Sequence, residues 1–269
     1  MVKGFYNLTS GMLTQRRNLD VISSNMANVS TTGFKADHLV SSTFQTELMS
    51  RTGNTDKSNP EGLADVTMAR IPRETVTHYE QGSFRLTEKK LDLAVDGTGF
   101  FQIQSADGIR YTRNGSFNLN NEGYICSQNG GLLLGTNGPI QVFDPTAGEM
   151  TKDGIVPLMK FASENISVNA SGGVHDSEGN YLDQIALVTF PDLSQLDKGE
   201  SGVYFTGGGQ PIPANGAILQ GYLEESNVDE LKEMVSMLES QRHLQSAAQV
   251  LKMYDKMIDR AVTEIGRIQ

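Results

Sequence analysis

The sequence predicts an α+β fold, with long helices at both ends of the chain and a central antiparallel β domain between them. Apolar residues recur every seven positions near each end, which is typical of paired helices. Between the ends, short β-rich runs are separated by turn dipeptides such as Asp96-Gly97 at roughly 7 to 15 residue spacings, which is typical of hairpins. We therefore divide the 269 residues into a helical arm at 1–35, an extended or loop connector at 36–65, a β body at 66–224 and a second helical arm at 225–269.

The N-terminal helix is predicted from two interleaved sets of residues, each spaced by seven. Seven of the eight positions are apolar, and Gln15 is the exception. One set is Phe5, Met12, Leu19 and Met26, and the other is Leu8, Gln15, Ile22 and Val29. Gly11 weakens such a helix by roughly 1 kcal/mol, so the helix should need a partner to persist. The polar stretch from Asn28 to Gly33 resembles a helix exit.

The C-terminal helix is predicted from a longer apolar repeat. Between Asn227 and Gln269 there is no proline and one glycine, so about 40 residues can form a helix roughly 60 Å long. The residues spaced by seven are Met237, Leu244, Leu251, Ile258 and Ile265, with a companion set at Ser240, Ala247, Tyr254, Ala261 and Ile268. The apolar face is extended upstream by Leu231, Met234, Val235 and Leu238.

The start of this helix is predicted from capping residues and acids. Ser226 or Asn227 can cap the helix, and Asp229 falls in the first turn, where the helix dipole favours negative charge. The adjacent Glu224 and Glu225 are interpreted in the same way, as favourable charge–dipole placement rather than as an acid–base pair.

The central β domain is predicted from short runs such as 91–97 and 99–104 that are bounded by glycine turns. No helical period of about 12 residues separates the runs, which argues against a parallel α/β sheet. Upstream of them, residues 50–62 are polar and contain glycine and proline. That composition predicts an exposed or mobile loop between the N-terminal arm and the β body.

Composition and charge exclude several classes of protein. The net charge of -10 argues against nucleic acid as a partner, because phosphate binding needs a basic surface. No run of about 18 apolar residues is present, so we expect no membrane insertion. The N-terminus lacks the apolar segment of a cleaved signal peptide. Cys126 is the only cysteine, so no intrachain disulfide can form, and we expect it to be a buried or half-buried apolar residue.

Candidate catalytic and metal-binding chemistry is sparse. The four histidines are His38, His78, His175 and His243. None has a histidine four residues away or a neighbouring cysteine, so we interpret them as structural or exposed. The stretch 97–99 begins like a dinucleotide fingerprint but opens no helix, and the loop from Asn118 carries Asn129 where a calcium loop needs glutamate. We therefore predict no enzyme activity, no cofactor and no metal.

The two apolar seams predict assembly. In an isolated chain the two arms can pair only with each other, and a two-helix seam leaves apolar surface on the longer C-terminal helix. Such arms tend to order on association. The residues themselves thus indicate an assembling protein before any family is considered.

Three parts of the sequence resemble the bacterial flagellar rod and hook axial proteins. The N-terminal signature of that family is matched by Ser10, Gly11, Met12, Leu19, Asp20, Val21, Ile22, Asn25, Asn28, Thr31, Thr32, Gly33, Phe34 and Lys35. The stretches 91–103 and 110–125 are similar to the family's β domain. The C-terminal signature is matched by Gly221, Leu223, Glu224, Ser226, Asn227, Val228, Met234, Glu239, Gln241 and Arg242.

The resemblance implies a structural axial subunit of the basal body that polymerises into a helical tube and transmits torque to the hook. It implies export through the flagellar type III apparatus, and contacts with copies of itself and with other rod and hook subunits. The chain looks closer to a distal-rod type than to a proximal-rod type. Asn28 and Gly33 would end the first helix, and Phe34 would anchor the chain as it turns outward. The expected assembly residues are Phe5, Leu8, Met12, Leu19, Ile22, Met26, Val29, Thr31, Thr32, Phe34, Met237, Leu244, Leu251, Ile258 and Ile265.

Alternative functions remain open at the level of sequence. A hook-type axial protein or a junction subunit would belong to the same family. A secreted β-domain binding module on a coiled-coil stalk would form a defined trimer instead of an open polymer, so light scattering would distinguish it. A hydrolase with a site assembled from distant loops is the third alternative, and the few histidines and the single cysteine argue against it.

Overall fold

In a computed structural model of the chain, the residues described are 2–51, 61–142, 166–176, 179–199, 202–206 and 209–265. The chain forms two compact units. The first consists of Met1–Ala27, Asp37–His78 and Asp229–Gln269, and the second of Asn28–Ala36 and Tyr79–Val228. The second unit contains the polar segment that follows the N-terminal helix together with residues 79–224, to which the name β body is restricted from here on.

The described residues contain two α-helices, α1 at Val2–Ala27 and α2 at Glu230–Ile265, and a short 3-10 helix at Leu193–Gln195. Their strands are β1 Asp37–Arg51, β2 Glu61–Thr77, β3 Phe84–Leu86, β4 Leu93–Asp96, β5 Phe100–Ser105, β6 Gly108–Thr112, β7 Phe117–Leu119, β8 Ile125–Ser127, β9 Leu132–Leu133, β10 Ser167–Val168, β11 Gly173–His175, β12 Tyr181–Gln184, β13 Leu187–Thr189, β14 Leu196–Lys198, β15 Val203–Thr206, β16 Ile212–Pro213, β17 Ala217–Gln220 and β18 Tyr222–Glu224. The α+β fold with terminal helices and a central antiparallel sheet is confirmed. Neither α-helix is long and apolar enough, over its described residues, to cross a bilayer.

In the first unit, α1 and α2 pack side by side and run in opposite directions. Asn18 Nδ2 donates to Ser240 Oγ at 3.1 Å, and seven residues further along α1 Asn25 Nδ2 donates to Glu233 Oε1, also at 3.1 Å. Moving forward by seven residues along α1 therefore corresponds to moving back by seven residues along α2, as expected for antiparallel helices. In the same register, Gly4 faces the Tyr254 side chain near the start of α1. The residues of α2 from Ile258 onward therefore extend past the first turn of α1.

The first unit also contains a long hairpin. Strands β1 and β2 pair antiparallel from Asp37 opposite Thr77 to Arg51 opposite Glu61. The sequence pattern predicts a connector at 36–65 and a β body from 66 onward, so the observed strands differ from that division. The reason is that β1 is rich in polar and β-branched residues without strict alternation, so no buried face marks it as a strand. Most of the predicted loop at 50–62 lies outside the described residues.

The second unit is built from antiparallel hairpins. Its largest sheet has the strand order β14-β15-β6-β5-β9-β8-β7, and β13 pairs with both β5 and β16. Strand β17 pairs with β4, β18 pairs with β3, and β10, β11 and β12 form a three-stranded sheet. Glycines at the predicted turns adopt the left-handed conformation, with φ of 105° at Gly97, 120° at Gly108 and 78° at Gly130. Gly108 and Gly130 lie where the β5–β6 and β8–β9 hairpins turn, as predicted, whereas Gly97 links β4 to β5, which do not pair with each other.

The β body has its own apolar core. The larger buried cluster consists of Leu91, Leu93, Val95, Phe101, Ile103, Phe117, Ile125, Leu133, Ile140, Ile166, Val168, Val174, Ile185, Val203 and Ile218. A second cluster consists of Phe100, Tyr111, Val188, Phe190, Leu196 and Tyr204. Neighbouring side chains of β5 enter different clusters, because successive residues of a strand point to opposite faces. Both faces of this strand are thus covered inside the unit.

Candidate functional site

The polar segment after α1 forms a turn that is seated on the β body. The helix ends at Ala27, and Thr31 N then donates to Asn28 O at 3.1 Å. Gly33 has φ of 68°, and a Cβ built on it would lie 2.4 Å from the carbonyl carbon of Arg113. Only glycine fits this backbone conformation at so close an approach. The predicted end of the helix is confirmed. We call Asn28–Ala36 the N-terminal junction.

Phe34 anchors this junction, as predicted. Its side chain is buried in a small cluster with Ala36 and Val228, and the half-buried Val29 packs against the cluster. The Lys198 ammonium lies 3.6 Å from the centre of the Phe34 ring, a distance at which a cation is attracted to the aromatic face. Phe34 is therefore enclosed by its own chain, and its role in assembly stays a prediction.

A fully buried charge cluster lies next to this aromatic anchor. Lys35 Nζ donates to Glu224 Oε1 at 2.5 Å, and Arg113 Nη1 lies 3.3 Å from Glu224 Oε2. The side chains of Lys35 and Glu224 are 0% exposed, and that of Arg113 is 6% exposed. Two cations thus share one carboxylate, and each of its oxygens binds a different cation.

Backbone groups supply further hydrogen bonds to this cluster, although Arg113 Nε is buried without a partner among the described residues. Lys35 Nζ also donates to Glu80 O at 2.7 Å, and Arg113 Nη2 donates to Gly97 O at 2.8 Å. Gly82 N donates to Glu224 Oε1 at 3.1 Å. Burial lowers the pKa of Lys35 and of Arg113, and the negative charge of Glu224 opposes that shift for both. The carboxylate and the carbonyl oxygens offset the cost of taking two cations out of water.

The segment that leads into α2 meets the N-terminal junction at this cluster. Gly33 N donates to Glu224 O at 2.8 Å, and Ala36 N donates to Asn227 Oδ1 at 2.7 Å. Asn227 Nδ2 donates in turn to Glu80 O at 3.1 Å. We call Glu224–Val228 the C-terminal junction. The chain thus leaves one helix and enters the other through two segments that are hydrogen-bonded to each other on the β body.

The structure corrects two interpretations of the C-terminal junction. Glu224 does not act as an exposed acid beside a helix end, because it lies on a strand and its carboxylate is enclosed by the charge cluster. Ser226 and Asn227 do not cap α2. The cap is Asp229, whose Oδ1 accepts hydrogen bonds from Leu231 N at 3.1 Å and Lys232 N at 3.2 Å. The predicted cap was wrong because the Asn227 side chain binds Ala36 N and Glu80 O at the junction and not the first turn of α2.

In the first unit, Asn25 of α1 binds the backbone of the hairpin. Asn25 Nδ2 donates to Asp37 O at 2.9 Å, and Asp37 N donates to Asn25 Oδ1 at 3.0 Å. Asn25 is 1% exposed, so these bonds are shielded from water. They join residue 25, which precedes the N-terminal junction, to residue 37, which follows it.

The two threonines of the N-terminal junction also form hydrogen bonds. Thr31 Oγ1 donates to Asn28 Oδ1 at 3.2 Å, and Thr32 Oγ1 donates to Asn114 Oδ1 at 2.7 Å.

The predicted assembly residues differ widely in exposure. The buried ones are Ile22 and Phe34. The half-buried ones are Leu8, Met12, Leu19, Met26, Val29, Thr31, Thr32, Met237, Leu244 and Leu251. The exposed ones are Phe5 and Ile258, and the side chain of Ile265 lies outside the described residues. The half-buried heptad positions of α2 follow the seam that packs against α1, so their first partner is the chain itself. Their role in assembly stays a prediction.

A second apolar face on α2 has no such partner within the described residues. Its members are Leu231, Met234, Val235, Leu238, Val250, Met253 and Met257. The sequence pattern places the first four on the apolar face that continues the seam, whereas the structure exposes them. The last three lie outside the two heptad sets predicted for this helix.

Two of the four histidines meet in the hairpin. The rings of His38 and His78 lie edge to face with their centroids 4.6 Å apart. Their separation of 40 residues in the sequence concealed this contact, which follows from the pairing of β1 with β2. Among the described residues, no group of three or more histidine, cysteine, aspartate or glutamate side chains is placed to hold a metal ion.

Comparison with known proteins accounts for all three parts of this arrangement. Residues 5–35 match the family of flagella basal body rod proteins, residues 94–176 match the flagellar hook protein FlgE/F/G D1 domain, and residues 219–264 match the flagellar basal body rod FlgEFG protein C-terminal family. The flagellar basal-body rod protein FlgF of Caulobacter vibrioides is 33% identical over the full length of both chains. The chain belongs to the flagellar basal-body rod protein family.

Other relatives in the rod protein family also align with nearly the whole chain. The flagellar basal-body rod protein FlgG of Bacillus subtilis is 31% identical over 97% of this chain and 98% of its own. The flagellar hook-basal body complex protein FlhO of Bacillus subtilis is 28% identical over all of both chains. The resemblance stated from the sequence is confirmed. The buried charge cluster takes Lys35, Arg113 and Glu224 from three different family-matched segments.

Proposed function

We propose that this chain is a structural axial subunit of the flagellar basal-body rod, which polymerises into a helical tube and transmits torque to the hook. The observation that carries the proposal is the end-to-end match to a rod protein, at 33% identity over all of both chains. Catalysis has no part in the proposed role. The relevant chemistry is the burial of apolar surface between subunits.

The structure supports this proposal through the exposed apolar face of α2. Leu231 is 76% exposed and Met257 is 54% exposed, and further apolar residues of the same face lie between them along the helix. Single exposed apolar side chains are ordinary, but a face that follows one helix favours an interface. A helix whose one side packs on α1 and whose other side is apolar and exposed suits a layer of helices shared among copies.

Partners and location follow from the same role. The proposed partners are copies of this chain, other rod and hook subunits, and the flagellar type III export apparatus, without nucleic acid and without membrane insertion. The proposed location is the basal body, reached without a cleaved signal peptide. Identities of 33% to a FlgF and 31% to a FlgG are alike, so the proposal names the rod and no position along it.

An assembly assay with matched substitutions tests the proposal. Met257 is 54% exposed, so Met257→Asp should leave the fold of the chain intact while placing a charge in the proposed interface. The control is Gln210→Asp, an equal change of charge at an exposed polar position of the β body. In a strain lacking its own copy, the wild-type chain and Q210D should restore hook-basal bodies, whereas M257D should not. Normal incorporation of M257D, or failure of the wild-type chain to incorporate, would contradict the proposal.

The heptad seam offers a second test. Leu251 is half-buried, so Leu251→Asp puts a charge into the seam and should also block incorporation. The β body has its own core, so its unfolding transition should be unchanged in this variant. Swimming at the wild-type rate with L251D would count against a role for the seam.

A further inference from the structure

We propose that Lys35, Arg113 and Glu224 form a lock that seats the N-terminal and C-terminal junctions on the β body as one unit. Each residue comes from a different part of the second unit: Lys35 from the N-terminal junction, Arg113 from the link between β6 and β7, and Glu224 from the start of the C-terminal junction. The lock lies wholly within that unit. Its proposed consequence is that neither junction stays seated when the other is released.

The sharing of one carboxylate makes the three residues interdependent. Glu224 Oε1 accepts from Lys35 Nζ at 2.5 Å and Oε2 faces Arg113 Nη1 at 3.3 Å. Removing the Glu224 charge leaves two buried cations with only carbonyl oxygens as acceptors. Breaking a buried pair in this way is far more disruptive than losing an exposed one, because the remaining charges cannot reach water. Loss of this one charge should therefore release both junctions.

Backbone contacts transmit this dependence along each junction. Gly33 N donates to Glu224 O and Ala36 N donates to Asn227 Oδ1, so the two segments are bonded to each other at both ends of Lys35. Lys198 Nζ donates to Lys35 O at 2.6 Å and fixes the same residue to β14. Movement of Lys35 away from the β body would therefore break all three of these hydrogen bonds.

The adjacent acid provides a matched control. Glu225 follows Glu224 directly, but it lies at the surface, where its carboxylate is 3.6 Å from Arg85 Nε and accepts from Ser83 Oγ. Its side chain is 44% exposed. Exposed pairs of this kind contribute little to stability. Glu224→Gln and Glu225→Gln thus make the same chemical change one residue apart, inside and outside the lock.

Hydrogen exchange on the full-length chain tests the lock directly. In E224Q, amide exchange should rise by at least about 100-fold in both junctions, residues 28–36 and 224–228, while the hairpin of β7 and β8 keeps its protection. E225Q should exchange like the wild-type chain. The proposal is overturned if E224Q and E225Q behave alike, or if E224Q releases residues 224–228 and leaves 28–36 protected.

A double-mutant comparison makes the test independent of any single variant. Lys35→Met should also release both junctions, and the K35M/E224Q double variant should exchange little faster than the worse of the two single variants. Additive effects would show that the residues act separately and would overturn the lock. Should E224Q not fold, Lys35→Arg keeps the charge, displaces the donor, and should release the same two segments to a smaller degree.

The lock has a consequence for torque that rests on the proposed rod function. Along the chain, force on α1 enters the second unit at Asn28 and force on α2 enters it at Val228, which are the outer ends of the two junctions. Because the lock joins the two junctions, force that enters through one junction would be shared by the other. In cells, E224Q should therefore lose swimming in viscous medium at loads that E225Q tolerates. Failure of the wild-type chain to assemble would count against the rod function and leave the exchange result as a test of the lock. Equal swimming of assembled E224Q and E225Q would overturn the load-bearing role alone.

Discussion

Replacing Gly33 with alanine should lift the N-terminal junction from the β body. Gly33 has φ of 68°, and its added Cβ would lie 2.4 Å from the carbonyl carbon of Arg113 and 2.5 Å from Asn114 N. Both are backbone atoms of the link between β6 and β7. No change of side-chain rotamer can relieve such contacts, so either the junction or the link must move.

The size of this effect has two parts, and a second glycine separates them. An alanine in the left-handed region costs about 1–2 kcal/mol. Close contact with backbone adds about 1–3 kcal/mol by analogy with overpacked cores. Gly130→Ala should suffer only the first cost, since Gly130 has φ of 78° and nothing within 4 Å of its added Cβ. G33A should therefore be less stable than G130A by about 1–3 kcal/mol.

Thermal unfolding of the full-length chain measures this difference. For a unit of this size, each 1 kcal/mol lowers the midpoint by about 2–4 °C, so G33A should unfold roughly 2–12 °C below G130A. Limited proteolysis should also cut residues 28–36 first in G33A. Equal midpoints for the two variants would refute the close approach of the junction to the body, because the left-handed backbone would then account for the whole effect.

Three further predictions concern titration, a thiol and a helix cap. Burial lowers the pKa of Lys35 below its ordinary 10.5, so the unfolded chain binds more protons just below pH 10.5 and stability from this group rises with pH there. Urea unfolding at several pH values should show that K35M lacks this rise. Burial raises the pKa of the Cys126 thiol, so a thiol reagent at pH 8 should label it more slowly in the folded chain than in urea. Asp229→Ala should lower stability by about 1 kcal/mol and fray the start of α2, measured by circular dichroism, because Leu231 N and Lys232 N lose their acceptor.

Periodic patterns were predictable because they arise from local physics. The heptads predicted both helices, which the structure bounds at Val2–Ala27 and Glu230–Ile265. Turn dipeptides located the turns of the β5–β6 and β8–β9 hairpins, because glycine is the residue that most readily adopts the left-handed conformation found at Gly108 and Gly130. The dipeptide Asn114-Gly115 has a different role, because Gly115 does not adopt the left-handed conformation. Glycine is needed there because a Cβ on residue 115 would lie 1.5 Å from Leu93 O.

Features that depend on distant residues were not predictable from patterns. Lys35, Arg113 and Glu224 lie far apart in the sequence, and each carries a charge that usually marks a solvated residue. The adjacent Glu225 is exposed to solvent, as charged residues usually are.

The long hairpin of β1 and β2 was not predicted for a similar reason. Its strands are stabilised by backbone pairing with one another, so their side chains need not show a buried stripe.

The unequal lengths of the two helices have a geometric consequence. Because Ile258–Ile265 run past the start of α1, α2 protrudes by about 12 Å beyond its companion. The protruding end carries exposed apolar side chains, among them Ile258 and Val262, that have no residue of the described α1 opposite them. In an assembled rod we expect a neighbouring subunit to bury this end, so successive subunits would overlap along the axis.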